Sequence, residues 1–302
     1  DCLVALSGGR DSSYGLHYMK EVLGMHPIAY TYDWGMVTDL ARRNQARLCG
    51  KLKIEHILVS ADIKKKRQYI RQNVLAWLKR PTLGTVPLFM AGDKQFFSYA
   101  NKLKEQTGAK ITILCINPLE RTSFKTSFCG VKQPEKHYHH YALSVLNQVK
   151  LGLYYGKEYL LNPAYINSSI WDTMDAFVSY YMIPHTFLNL FNYIPWDEGT
   201  TNSTLIGKYN WETALDTRST WRIGDGTASF YNYIYYSVAG FTENDTFRSN
   251  QIREGIIDRE TALEKIYEEN QPRYESIQWY CNTIGIDMGF ALERIKSIQK
   301  LY

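Results

Sequence analysis

The sequence predicts an α/β protein: a doubly wound, mostly parallel sheet followed by a C-terminal helical region. Three observations carry this expectation. Short apolar runs rich in β-branched residues alternate with amphipathic stretches of helix length through about residue 115. The first run, Leu3 to Leu6, breaks into Ser7-Gly8-Gly9-Arg10-Asp11-Ser12-Ser13, a glycine turn that opens a helix. Beyond about residue 138 the pattern becomes helical and aromatic, in a chain that holds 24 tyrosines and 7 tryptophans.

Each element follows from its residues. Gly8 and Gly9 permit backbone angles closed to other residues, so the N–H groups of the turn and of the helix start converge on one point, an anion site. Ser7 and Ser12 add hydroxyls and Arg10 adds charge. Asp11 repels an anion unless a cation lies between, which makes it the expected magnesium ligand. Gly24 stops the first helix, and 28–32 reads as a second strand ending at Tyr32-Asp33-Trp34-Gly35. A helix over about 37–52 carries Arg42 and Arg43, and 54–59 reads as a third strand. This β-α-β-α-β order places strand ends and the glycine loop in one crevice.

A helix from about 64 to 78 opens on the most basic run, Lys64-Lys65-Lys66-Arg67. A further helix over about 93–106 closes at Gly108, and 111–115 reads as a fourth strand. It ends at Asn117-Pro118-Leu119-Glu120-Arg121, where Asn117, Glu120 and Arg121 are expected to face the same crevice. A helix is expected over about 141–151, and an aromatic one over 170–181, broken at Pro184. Trp221-Arg222-Ile223-Gly224-Asp225-Gly226 gives a loop with a cation and an anion. Helices follow over 230–238, around Arg248 and Arg253, and over 258–269 and 274–298, the last interrupted by Gly285. His137, His139 and His140 lie close to Cys129, but their spacing matches no standard zinc pattern.

With 302 residues, 45% of them hydrophobic, the chain can bury a sizeable core. A net charge of +5 suits a site for polyanionic nucleotides and falls short of a nucleic-acid-binding signature. Five cysteines without a C-x-x-C pair indicate neither a disulfide framework nor a zinc knuckle. No apolar run approaches a membrane span and nothing reads as a signal peptide, so no membrane association and a cytoplasmic location are expected. The chain begins at Asp1, one residue before a strand, and a preceding segment is expected.

Ser-Gly-Gly-x-Asp-Ser resembles the pyrophosphate-binding loop of the PP-loop ATP pyrophosphatases, whose fold is of the adenine nucleotide alpha-hydrolase type. The succession of Ser7-to-Ser12, Thr31-Tyr32-Asp33-Trp34 before Arg42-Arg43-Asn44, Asn117-Pro118 and Arg248-to-Glu264 resembles, over most of the chain, the N-acetyl sugar amidotransferases of bacterial surface-polysaccharide synthesis. The resemblance implies an ATP-binding domain over 1–160 and a mostly helical substrate-binding region over 161–302. It implies ATP and Mg2+ as cofactors, held by Ser7, Gly8, Gly9, Arg10, Asp11, Ser12, Tyr32, Asp33 and Asn117, with Asp11, Arg10 and Ser12 in catalytic roles. Arg42, Glu120, Arg121, Trp221, Arg222, Asp225 and Arg248 are the expected substrate contacts.

The implied reaction adenylates the acetamido oxygen of a nucleotide-linked sugar, and ammonia from a separate glutaminase subunit then displaces AMP. One departure stands out: relatives end the fourth strand in Gly-Glu-Asn-Pro, whereas this chain has Cys115-Ile116-Asn117-Pro118, so Glu120 or Asp93 is expected to supply the missing acid. Two rival readings remain, a tRNA-modifying PP-loop enzyme that uses Lys64 to Arg67, and a catalytically silent ATP-binding scaffold.

Overall fold

The computed structural model describes residues 1–122, 124–131 and 143–302. The first half alternates strand and helix: β1 (Cys2–Ala5), α1 (Arg10–His17), β2 (Pro27–Asp33), α2 (Asp39–Leu52), β3 (His56–Ser60), α3 (Ile63–Lys79), α4 (Phe96–Thr107) and β4 (Ile111–Leu114). After β4 come α5 (Phe124–Ser127), α6 (Val145–Leu161), α7 (Ser169–Phe177), β5 (Phe187–Asn189) and α8 (Glu198–Tyr209). The chain closes with α9 (Ala228–Ala239), α10 (Glu243–Arg253), α11 (Arg259–Glu269), α12 (Tyr274–Ile284) and α13 (Met288–Lys296).

Among the described residues the five strands form one all-parallel sheet in the order β3-β2-β1-β4-β5. The chain builds β1, β2 and β3 to one side and then returns to the other side of β1 to lay down β4. The carboxyl ends of β1 and β4 therefore flank the point where strand order reverses, the place where open parallel sheets leave a crevice for ligands. β1 is buried through its apolar residues, as a central parallel strand requires. Leu3, Tyr30, Trp77, Phe230 and Tyr280 belong to one apolar cluster, and Val4, Leu16, Leu48 and Leu205 to a second.

Three boundaries differ from expectation. The division at 160/161 does not separate the sheet from the rest: β5, at 187–189, pairs with β4 in the register Thr112↔Phe187 to Leu114↔Asn189. The larger apolar cluster likewise joins residues from both sides of that boundary. The first helix starts at Arg10, earlier than Ser12 and Ser13 suggested, with Gly9 at its N-cap and no side chain capping it. The stop at Gly24 has its physical reason in a positive φ of 64°, and Gly108 caps α4 in the same way at 67°. The helix expected over 141–151 runs instead over Val145–Leu161.

The histidines at 137, 139 and 140 lie outside the described residues. No helix among the described residues is long and apolar enough to cross a membrane.

Candidate functional site

The glycine loop sits at the end of β1 and is held by its own serines. Ser7 and Ser12 hydroxyls lie 2.9 Å apart, the Ser7 N–H donates to Ser12 Oγ, and the Gly9 N–H donates to Ser7 Oγ. Gly8 has φ +78°, and a Cβ there would stand 2.5 Å from the Ala41 carbonyl oxygen, so the approach of α2 requires glycine. The turn 222–226 crosses one flank of the loop: a Cβ on Gly224 would stand 3.0 Å from Ala41 Cβ and 3.6 Å from the Gly9 nitrogen. The first turn of α1, uncapped by any side chain, leaves the arrangement of N–H groups that receives anions at helix starts.

Arg10 does not extend toward the mouth of this loop. Its side chain is buried and divides its donors among Asp11 at 2.9 Å, Glu120 at 3.1 Å, Glu198 at 3.1 Å and the Thr220 hydroxyl at 3.2 Å. Its guanidinium also lies 4.7 Å from the Trp196 ring centre. These contacts make Arg10 a rivet joining the start of α1, the segment after β4 and the start of α8. Glu198 passes the contact to the buried Arg248, which in turn pairs with Glu269.

Asp11 and Glu120 meet on the Arg10 guanidinium, which donates to both. Burial opposes the charge on Asp11, but Arg10 and the bonds from Glu120, Arg10 and the Trp196 indole hold its carboxyl below the usual range. Burial and the neighbouring Asp11 push Glu120 well above it.

Two guanidinium groups, Arg10 and Arg248, face four carboxyl groups, Asp11, Glu120, Glu198 and Glu269, so carboxyl groups outnumber cations in the cluster. Among the described residues no group of three or more ligating side chains is assembled. A magnesium ion typically takes one or two carboxylates and completes its octahedron with phosphate oxygens and water, and Asp11 with Glu120 fits that demand.

A cleft of about 470 Å³ opens beside Glu120, within the size range of small-molecule sites. Of the sequence-derived candidates it is lined by Asn117, Glu120, Arg121, Arg222, Asp225 and Asp93. Asn117 is buried; its Oδ1 accepts the Leu119 N–H while Nδ2 has no partner among the described residues. Asp93 pairs with Lys94 at 3.0 Å, and burial raises its carboxyl. Arg222 adopts φ +52° and pairs with Glu243 at 3.0 Å, and Lys125 meets the same carboxylate at 2.5 Å. Tyr155, Phe177, Tyr180 and Tyr181 form an aromatic wall, the last two from the π-helical turn that extends α7.

The remaining candidates lie elsewhere. Tyr32 turns into the core, where its hydroxyl donates to Gln95 and its ring stacks on Tyr99. Asp33 is buried and accepts from the Gly35 N–H and from Arg42, which also reaches Asp39. Trp221 packs its ring on Phe247, and Arg248 borders a separate cleft of about 340 Å³ with Glu198 and Lys265. Lys66 is no surface residue: its ammonium is buried against Gln95 and Asp172, and Arg67 donates to the Gly35 carbonyl.

The residues that sequence reasoning missed are Lys94, Lys125, Trp196, Glu198 and Glu243. A signal existed for Glu198, since Asp197 caps α8 by accepting the Thr200 N–H, a helix start that Asp-Glu ahead of a long stretch advertises.

No protein-family model matches the chain, and no curated protein matches it.

Proposed function

We propose that the chain is an ATP pyrophosphatase-type amidotransferase of the PP-loop kind, acting on a nucleotide-linked N-acetyl sugar. The observation that carries this reading is the meeting of Asp11 and Glu120 between the ends of β1 and β4, next to an uncapped helix start and a cleft of substrate size. The motif Ser7-Gly8-Gly9-Arg10-Asp11-Ser12 supplies the resemblance, and the cleft supplies room for an acceptor.

In this reading the N–H groups from Gly8 to Ser12 and the serine hydroxyls hold the pyrophosphate portion of ATP. Asp11 and Glu120 would hold Mg2+, which would supply charge neutralisation at the phosphate oxygens. The acetamido oxygen attacks the α-phosphorus, the bond to the bridging oxygen breaks, and pyrophosphate leaves. Ammonia then adds to the activated carbon, the carbon–oxygen bond to AMP breaks, and loss of a proton leaves an acetamidino group. The first step asks for positioning and charge neutralisation more than for a base, because an amide oxygen has no proton to lose. Asn117 Nδ2 is suited to orient an acceptor oxygen, and the tyrosine wall suits a sugar ring. A separate glutaminase is the proposed source of ammonia: Cys2, Cys49, Cys129 and Cys281 are buried, and burial raises the Cys2 thiol and brings that of Cys49 to about 11.

Against the scaffold reading we weigh Glu120, a carboxyl group near the loop despite Ile116, and against the tRNA reading the burial of Lys66. The test is pyrophosphate release from ATP and Mg2+ with ammonium present, across nucleotide-linked acetamido sugars and bulk tRNA. Release that depends on one sugar, with a product lighter by one mass unit, supports the proposal. Release with tRNA alone, or none with any sugar, overturns it. Asp11→Asn is expected to abolish release while the far-ultraviolet circular dichroism stays unchanged.

A further inference from the structure

The helix α6 is apolar on both sides. Inward, Leu151 is buried and Tyr155 joins it in lining the 470 Å³ cleft. Outward, Val145, Leu146, Val149, Leu153, Leu160 and Leu161 are 76, 65, 53, 69, 79 and 50% exposed. A helix of this kind is ordinarily covered.

The outward residues define what covers it. Leu146, Val149, Leu153, Gly156 and Leu160 follow the 3-4-3-4 spacing of a coiled-coil seam over two heptads. At about 100° of rotation per residue, five of the six exposed apolar positions fall within an arc of about 100°, with Leu161 about 60° beyond it. The 3-4 spacing of that seam is the one by which helix packs on helix. Gly152 and Gly156 stand at its edge with open space where a Cβ would be, so a second backbone can come close. Along one flank lie Lys150 and Lys157, each in the position just after a seam residue. The single acid of α6, Glu158, is buried against Arg80. The seam therefore offers only positive charge. A second copy brings further lysines and no acid to meet them.

We infer that the outer face of α6 docks an amphipathic helix of another protein, one with an apolar seam flanked by acidic residues. The partner then sits directly behind the wall of the cleft. This inference stands on the helix itself and is independent of the chemistry proposed above.

The test uses the whole chain and two synthetic helical peptides, both with a leucine seam, one flanked by glutamates and the other by lysines. Sedimentation of the chain alone, titration with each peptide, and flotation with phosphatidylcholine–phosphatidylglycerol vesicles complete it. The expected result is a monomer that binds the acidic peptide at least tenfold more tightly than the basic one and does not float. Leu153→Glu, at an exposed position, abolishes the binding without unfolding the chain, and Lys150→Glu with Lys157→Glu reverses the preference. Equal binding of the two peptides, or none, overturns the inference. So does a dimer dispersed by Leu153→Glu, which assigns the face to a second copy, or flotation lost in that variant, which assigns it to membrane.

Discussion

Arg10 shows how a residue type can be legible while its direction is not. An arginine inside a glycine loop reads as a phosphate ligand, yet its guanidinium lies under the loop, among three carboxyl groups and a tryptophan face. Nothing in the sequence pairs Arg10 with Glu198 or Thr220, which arrive from 188 and 210 positions away. Removing one partner of a buried charge network leaves the others uncompensated, so Arg10→Met is expected to lower stability by about 3–5 kcal/mol, read by urea denaturation. Gly8→Ala tests the loop's steric demand. Its positive φ and the 2.5 Å approach to the Ala41 carbonyl predict loss of pyrophosphate release with folding retained, checked by the release assay beside a melting curve.

Individual elements were legible where pattern is long and opaque where it is short. α2, α3 and α9 have enough turns for periodicity to speak, and β1 to β4 stand between clear breakers. β5 has three residues, Phe187–Asn189, too few for alternation to register. It nonetheless fixes the site: Asn189 accepts the Ile116 N–H at 2.8 Å and donates to the Ile116 carbonyl at 2.9 Å, holding the chain just before Asn117. The start of α10 carries a further electrostatic element. Burial opposes the charge of Glu243, but Arg222 and Lys125 prevail and hold its carboxyl down to about 2, against an ordinary 4.5. A depressed carboxyl contributes stability above the unfolded value and loses it as pH falls. The expected loss is about 3 kcal/mol between pH 5 and pH 2. Glu243→Gln, less stable overall, is expected to flatten that stretch of the stability–pH curve.

At the scale of the molecule, the α/β class and the crevice at the strand ends follow from the order of strands and helices alone. The boundary at 160 did not, because composition changes there while packing does not: β5 completes the sheet, and α9 and α12 join β2 and α3 in one apolar cluster. Fragments 1–160 and 161–302 are therefore expected not to fold apart. Proteolysis and circular dichroism of each, compared with the intact chain, check this.

Trp196 gives the site an optical consequence. Its indole N–H donates to Asp11 Oδ1 at 2.8 Å and its ring lies beside the Arg10 guanidinium, so one of the chain's 7 tryptophans is wired to the carboxylate proposed to meet the metal. Any ion or phosphate that draws charge from Asp11 changes that indole's emission. Titrating the chain with Mg2+ and a nucleotide is thus expected to shift intrinsic fluorescence without an added label, and Trp196→Phe to silence the change, giving the protein a reporter built from its own aromatic ring.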